Sequence, residues 1–228
     1  MKMKQTMRRL SEEANINEES IFELRKLIAQ GEGIQLEFKR KATHPEKIVR
    51  EMIAFANTDG GTILIGIDDD KSIYGLKYPE EEWLGIAENL TCCKPSLLYH
   101  ETIVALPENR FILRIDMPVS DRSPHFLSID QKEPETYIRV KDMSIKASPE
   151  MQEIIRRSRK KKDMRFTYGE HENQLMKYLA EKETITLPEF RVLTRLNRFK
   201  ASRKLILLVL ANVLKITASE KGDVYTRA

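Results

Sequence analysis

Apolar positions recur every three or four residues between Glu18 and Gln30, which places Ile21, Leu24, Leu27 and Ile28 on one face and predicts a helix that stops at Gly31. From Ile34 the period shortens to two. Ile34, Leu36 and Phe38 alternate with Gln35, Glu37 and Lys39, so a strand is expected with Glu37 on its polar face. Pro45 opens a helix carrying Ile48, Val49, Met52, Ile53 and Ala56, which Asn57, Gly60 and Gly61 close. Thr62 to Ile67, TILIGI, is apolar on both faces and reads as a central strand. It runs into Asp68, Asp69 and Asp70 and then a short expected strand at Ser72 to Leu76.

Pro79 to Leu90 is a further amphipathic helix, and the runs Thr102 to Leu106 and Arg110 to Met117 flank Pro107, Glu108 and Asn109 as a hairpin. A last strand at Tyr137 to Lys141 precedes Ser148, which caps a helix begun by Pro149. Strands and helices are mixed without strict alternation, which is the signature of an α+β domain. We expect a mobile N-terminus over 1–17, this domain over 18–155, a basic linker over 156–168 and a second domain over 169–228.

The second domain is patterned as three helices. Glu170 to Glu181 presents Leu175, Met176 and Leu179; Thr186, Leu187, Pro188 and Glu189 form a capping-box start; Leu193, Leu196 and Phe199 lead through Asn197 into a third helix. Asp223, Val224 and Tyr225 then resemble the return strand of a wing, so a winged helix-turn-helix is expected. Leu205 to Ala211 is apolar at every position, which restricts a groove-facing surface to the first turn with Lys200, Ser202, Arg203 and Lys204. The same run offers more apolar surface than a small three-helix unit needs, and a homodimer is one way to cover it.

Charge sharpens this picture. The net charge of the 228 residues is only +4, yet seven of the ten residues from Arg156 to Arg165 are Lys or Arg, and Arg191, Arg195, Arg198, Lys200, Arg203 and Lys204 form a second basic cluster. Clustered cations point to a polyanion, because neutralising phosphates releases condensed counterions. The bland alternative is a solvated linker and a charged helix face. No apolar run approaches the roughly 20 residues of a membrane-spanning helix, and the basic Met1 to Arg9 stretch has no apolar segment after it, so a cytoplasmic chain is expected. Cys92 and Cys93 are chain neighbours with no metal-ligand spacing around them, and a zinc site is not expected.

Gly31-Glu32, Leu36-Glu37-Phe38-Lys39, the segment Ala54 to Gly61 (AFANTDGG), Leu64 to Asp69 (LIGIDD) and Tyr74-Gly75-Leu76 together closely resemble the Schlafen-type AlbA domain. The resemblance covers roughly Gly31 to Ala147 and includes Tyr137-Ile138-Arg139-Val140. Bacterial members of this kind are described as predicted transcriptional regulators with a C-terminal winged helix, and some are labelled divergent ATPases. This chain has no GxxxxGK[ST] segment to wrap a nucleotide's phosphates, so ATPase activity is not expected. Vertebrate Schlafens of similar domain type cut transfer and ribosomal RNA with three acids that match Glu32, Glu37 and Asp68.

That match implies carboxylates converging on magnesium or manganese, with the metal polarising a phosphate. Lys39 shares the strand face of Glu37 and is placed to meet a phosphate. Each acid also has a structural explanation: Glu32 flanks a turn, Glu37 pairs with Lys39 or a base across the sheet, and Asp68 starts a turn toward Asp70. The chain departs from the family at Gly33, where a small hydroxyl residue is common, and it has one lobe where vertebrate members have two. The expectation is therefore a nucleic-acid-binding protein acting in transcriptional regulation. Its expected contacts are Lys39, Arg156, Arg157, Lys160, Lys161, Lys162, Arg198, Lys200, Arg203 and Lys204. A metal-dependent endoribonuclease and a protein-interaction module are the alternatives.

Overall fold

The Asn17 side chain accepts hydrogen bonds from the backbone N–H groups of Glu19 and Ser20 and so starts helix α1 (Glu18–Gln30), which Gly31 ends with φ of 78°. The computed structural model describes residues 15–129, 133–159 and 168–228. The chain divides into two units, Met1–Ser144 and Ile145–Ala228.

In the first unit, strand β1 (Leu36–Lys39) leads into α2 (Pro45–Asn57), then β2 (Gly61–Ile65) and α3 (Pro79–Leu90). The hairpin β4 (His100–Leu106) and β5 (Arg110–Met117) follows the short β3 (Cys93–Lys94), which pairs with β6 (Phe126–Leu127). The main sheet has the order β1-β2-β5-β4, with β1 parallel to β2 and the other pairs antiparallel. TILIGI thus occupies an interior strand, as its two apolar faces predict. Leu64 packs with Leu24 and Ile28 of α1, whereas Ile63 and Ile65 pack with α2 and α3 around the buried Trp83. Burying each such side chain contributes about 1.5–3 kcal/mol, so both faces hold the sheet.

Two local expectations are corrected here. Ser72 to Leu76 makes only the isolated bridges Ile67↔Ile73 and Leu76↔Phe111 and no strand. Glu37 is not on a solvated face: it stands opposite Ile63 in the parallel register and is buried on the α2 side of the sheet. The period-two pattern reported alternation correctly but not what covers the second face. That cover comes from β7 (Tyr137–Val140), which forms a hairpin with β8 (Met143–Lys146) and packs on α2. The turn between α2 and β2 requires glycine: Gly60 has φ of 72°, and a Cβ there would lie 2.7 Å from the Met117 carbonyl oxygen.

The second unit opens with α4 (Pro149–Ser158), whose first turn is capped by the Ser148 hydroxyl accepting from Met151 N–H. Then come α5 (Glu170–Lys182), β9 (Thr184–Thr186), α6 (Leu187–Thr194), α7 (Arg198–Leu210), β10 (Leu214–Thr217) and β11 (Val224–Arg227). The three strands form an antiparallel sheet in the order β10-β11-β9. Thr186 and Glu189 exchange the capping-box hydrogen bonds at the start of α6. Leu175, Leu179, Phe190, Leu205, Leu208 and Tyr225 form the core.

Helix α4 was expected to close the first domain, with a linker from Arg156. It belongs instead to the second unit and packs on α7, with Met151, Ile154, Ile155 and Ile206 buried. This accounts for the apolar run of α7. Leu205, Ile206 and Leu208 are buried and Leu207, Val209, Leu210 and Ala211 half-buried, because the helix is covered from more than one side. Part of the apolar surface of this run is thus covered within the chain.

Candidate functional site

The Schlafen-like acids are held by three different protein groups. The carboxylate of Glu32 accepts the Phe38 N–H at 2.8 Å, capping the free edge of β1 from the preceding turn. Glu37 is paired through Oε1 with Lys39 and through Oε2 with Arg139, whose Nη2 lies 2.5 Å away. Asp68 stands 3.4 Å from Arg40 Nη1 and accepts the Asp69 N–H at 3.1 Å.

Among the described residues no group of three His, Cys, Asp or Glu side chains is placed to hold a metal ion. Magnesium or manganese, implied by the resemblance, needs several convergent oxygens. The fit fails on the donors: an Arg and a Lys already neutralise Glu37, so a dication would have to displace two cations. No metal-dependent step follows from this arrangement.

The centre of the region is Arg139, which the sequence reading quoted within a strand motif but did not single out. Its side chain has no solvent exposure. It donates to the Gly33 carbonyl at 2.9 Å, to Glu37, and to Glu51 at 2.7 Å, and its guanidinium lies 4.9 Å from the Phe55 ring centre. The available signal was a charge at an inward position of an otherwise apolar strand. Burial pushes the Glu51 carboxyl up; the Ser144 hydroxyl opposes this, Glu37 adds to it, and Arg139 and Lys39 oppose it, leaving the group above its ordinary value. Two carboxylates thus share one buried guanidinium, with Lys39 neutralising the outer side.

Asn57, read from the sequence only as a helix terminator, is a second buried connector. Its amide donates to Thr136 Oγ1 at 2.8 Å and to the Tyr137 carbonyl at 2.9 Å, and its oxygen accepts the His125 N–H at 2.9 Å. One side chain at the end of α2 therefore fixes both the loop before β6 and the start of β7. The His125 ring contacts the Pro95 carbonyl at 2.7 Å and Ser120 Oγ at 2.6 Å. Burial lowers its pKa; the Pro95 carbonyl opposes this, Arg122 adds to it, and Asp121 opposes it.

A family model described as Schlafen, AlbA_2 matches residues 32–148, just over half of the 228 residues. The chain belongs to the Schlafen AlbA_2 family. Two solved structures are similar to parts of it. One is the N-terminal domain of a putative ATP-dependent DNA helicase RecG-related protein from Nitrosomonas europaea, 21% identical, with 50% of this chain and 85% of that chain covered and a TM-score of 0.40. The other is the DIP2311 protein from Corynebacterium diphtheriae, 14% identical, with 61% of this chain and 33% of that chain covered and a TM-score of 0.41. No curated protein matches. In this member of the Schlafen AlbA_2 family, Glu37, Asn57 and Arg139 of the shared motifs form the interior wiring of the first unit.

The expected nucleic-acid contacts are sorted by their partners. Lys39 is tied to Glu37, and Lys204 to the buried Glu172 of α5, so neither is a free surface cation. Burial disfavours ionised Glu172, but the Lys204 hydrogen bond and the N–H groups of Glu172 and Gly169 outweigh it, and the carboxyl sits below its ordinary value. Arg156 pairs with Glu153 within α4, and Arg157 lies 4.0 Å from the same acid. Lys160, Lys161 and Lys162 lie outside the described residues. Arg198, Lys200 and Arg203 are exposed on the first two turns of α7, next to Arg191 and Arg195, and no ion pair engages these five among the described residues. Val192 and Phe199 are exposed between them, at 82% and 74%. Among the described residues no helix is long and apolar enough to cross a membrane.

Proposed function

We propose that the chain is a DNA-binding regulator whose second unit is a winged helix-turn-helix, with α7 as the element that enters the major groove. The observation that carries this reading is the surface around the α6–α7 turn: five Arg and Lys side chains with no ion pair among the described residues surround the exposed Val192 and Phe199. Free cations are what phosphate contact requires, and their association with a helix start fits motifs whose second helix touches base edges through its N-terminal residues. The Asn197 side chain accepts the Lys200 N–H at 2.9 Å, which fixes the start of α7. Beyond Arg203 the helix turns apolar, which limits base contact to its first two turns. Lys204 is excluded from the interface because it is committed to Glu172.

Fluorescence anisotropy with labelled duplex DNA over a salt series tests the proposal. Arg198→Ala and Arg203→Ala should each lower the slope of log K against log salt by about 0.9, the value for one B-DNA phosphate contact. Salt-independent binding, or parent slopes in both variants, would overturn it. Membership of the Schlafen AlbA_2 family is compatible with nucleic-acid chemistry, but the engaged state of Glu32, Glu37 and Asp68 favours a binding role over cleavage.

A further inference from the structure

A second basic surface lies on the first unit, where β1 gives way to α2. Lys39, Arg40, Lys41, Thr43, His44 and Lys47, with Ile48 beneath, line a depression of about 280 Å³. Among the described residues no carboxylate lines it. Two acids at its rim reach lining residues, Asp68 3.4 Å from Arg40 and Glu46 3.7 Å from His44, so the free charge is left to the two lysines; Glu82 accepts the Ala42 N–H at 2.5 Å, which pins the loop. Lys41 and Lys47 are exposed and have no ion pair among the described residues.

An aromatic ring completes the site. The Arg40 guanidinium lies 4.4 Å from the centre of the Tyr74 ring, and Lys41 Nζ lies 5.6 Å from the same centre. Two cations drawn to one half-buried ring form a flat, charged platform beside the depression. The outer face of a stacked guanidinium offers a plane to an unpaired base, whereas a base inside a duplex cannot present its face.

We propose that this surface binds single-stranded nucleic acid, with a backbone phosphate in the Lys41–Lys47 depression and a neighbouring base stacked on the Arg40–Tyr74 platform. The site lies on the first unit, whereas the α7 surface belongs to the second, and it takes a different form of the polymer. It also differs from the Glu32, Glu37 and Asp68 set, since it requires neither metal nor cleavage. Lys39, tied to Glu37, forms its wall and does not supply its free charge.

The test uses the full chain carrying Arg198→Ala and Arg203→Ala, so that duplex binding by α7 is weakened in the measurement. Labelled single-stranded RNA and DNA of one sequence and the matching duplex are titrated over a salt series. The expected result is retained single-strand binding in this background. Adding Lys41→Ser with Lys47→Ser should lower the salt slope by about 0.7, the value for the one single-strand phosphate that the two lysines hold. Arg25→Ser with Lys26→Ser, an equal charge change on α1, should leave it unaltered.

Tyr74→Leu, which keeps bulk and removes the π face, should weaken single-strand binding several-fold at unchanged slope. Unfolding midpoints matching the parent's should accompany the Lys41, Lys47 and Tyr74 substitutions. A mononucleotide or inorganic phosphate competing as well as the strand would overturn the strand assignment in favour of a small-anion site. Equal loss from the Arg25/Lys26 control, or no loss from Lys41/Lys47, would overturn the site itself. Failure of duplex binding in the parent bears on α7 alone.

Discussion

Replacing Arg139 by Met tests whether the family acids serve architecture. The substitution keeps the aliphatic length and removes a guanidinium that has no solvent exposure and bonds the Gly33 carbonyl, Glu37 and Glu51. Glu37 would keep Lys39, but Glu51 would face Glu37 with no buried counter-charge. Removing one partner of a buried ion pair costs about 3–5 kcal/mol. That is a large part of the roughly 5–15 kcal/mol that holds a typical protein folded. The assay is urea unfolding followed by tryptophan fluorescence, because the single Trp83 lies in the core of the first unit and reports it directly.

The pH dependence supplies a second arm. Glu51 already has a folded pKa above its ordinary value, so its contribution is most favourable at low pH and is lost as pH rises through the folded value. Without Arg139 this effect should grow, and the deficit of the variant should shrink steadily on acidification. Adding Glu51→Gln should recover part of the loss at neutral pH, since it removes the repelling charge while preserving an acceptor for Ser144. A deficit under about 1 kcal/mol at neutral pH, flat across the acid range, would refute the reasoning, because a buried guanidinium between two carboxylates cannot be that cheap to remove.

Further outcomes follow from the same contacts. Lys204→Met should lower the stability of the second unit by about 1.5–3 kcal/mol, the range for a hydrogen bond to a charged group, while leaving the DNA salt slope unchanged; circular dichroism and anisotropy measure the two. The depressed pKa of Glu172 makes its stabilising contribution complete above its unfolded pKa and lost as pH falls through the folded value, so Glu172→Gln should flatten thermal stability against pH in that acid window. His125 also titrates below its ordinary value, so stability should decline as pH falls from about 6.5 toward the folded pKa, and His125→Gln should remove that decline in a calorimetric pH series. Gly60→Ala should destabilise the first unit measurably in urea, since φ of 72° and a carbonyl oxygen 2.7 Å from the new Cβ both oppose it.

The sequence by itself determined the local elements of this protein. The period of 3.6 in α1 and α2, the doubly apolar TILIGI strand, the Thr186–Glu189 capping box and the Ser148 cap are all governed by residues within a few positions of one another. The motif residues also identified the Schlafen AlbA_2 family, whose order along the chain is a linear property. Tertiary structure alone decided which charges are free. Glu37, Arg139 and Glu51 are separated by up to 102 residues, and no periodicity reports that they meet behind β1. The same holds for Lys204, which a linear reading groups with Arg203 although one bonds a buried acid and the other faces solvent. Helix α4 shows the principle at the level of packing: its Ser148 cap and Pro149 start are local, but the surface it covers is not, because burial is a relation between segments.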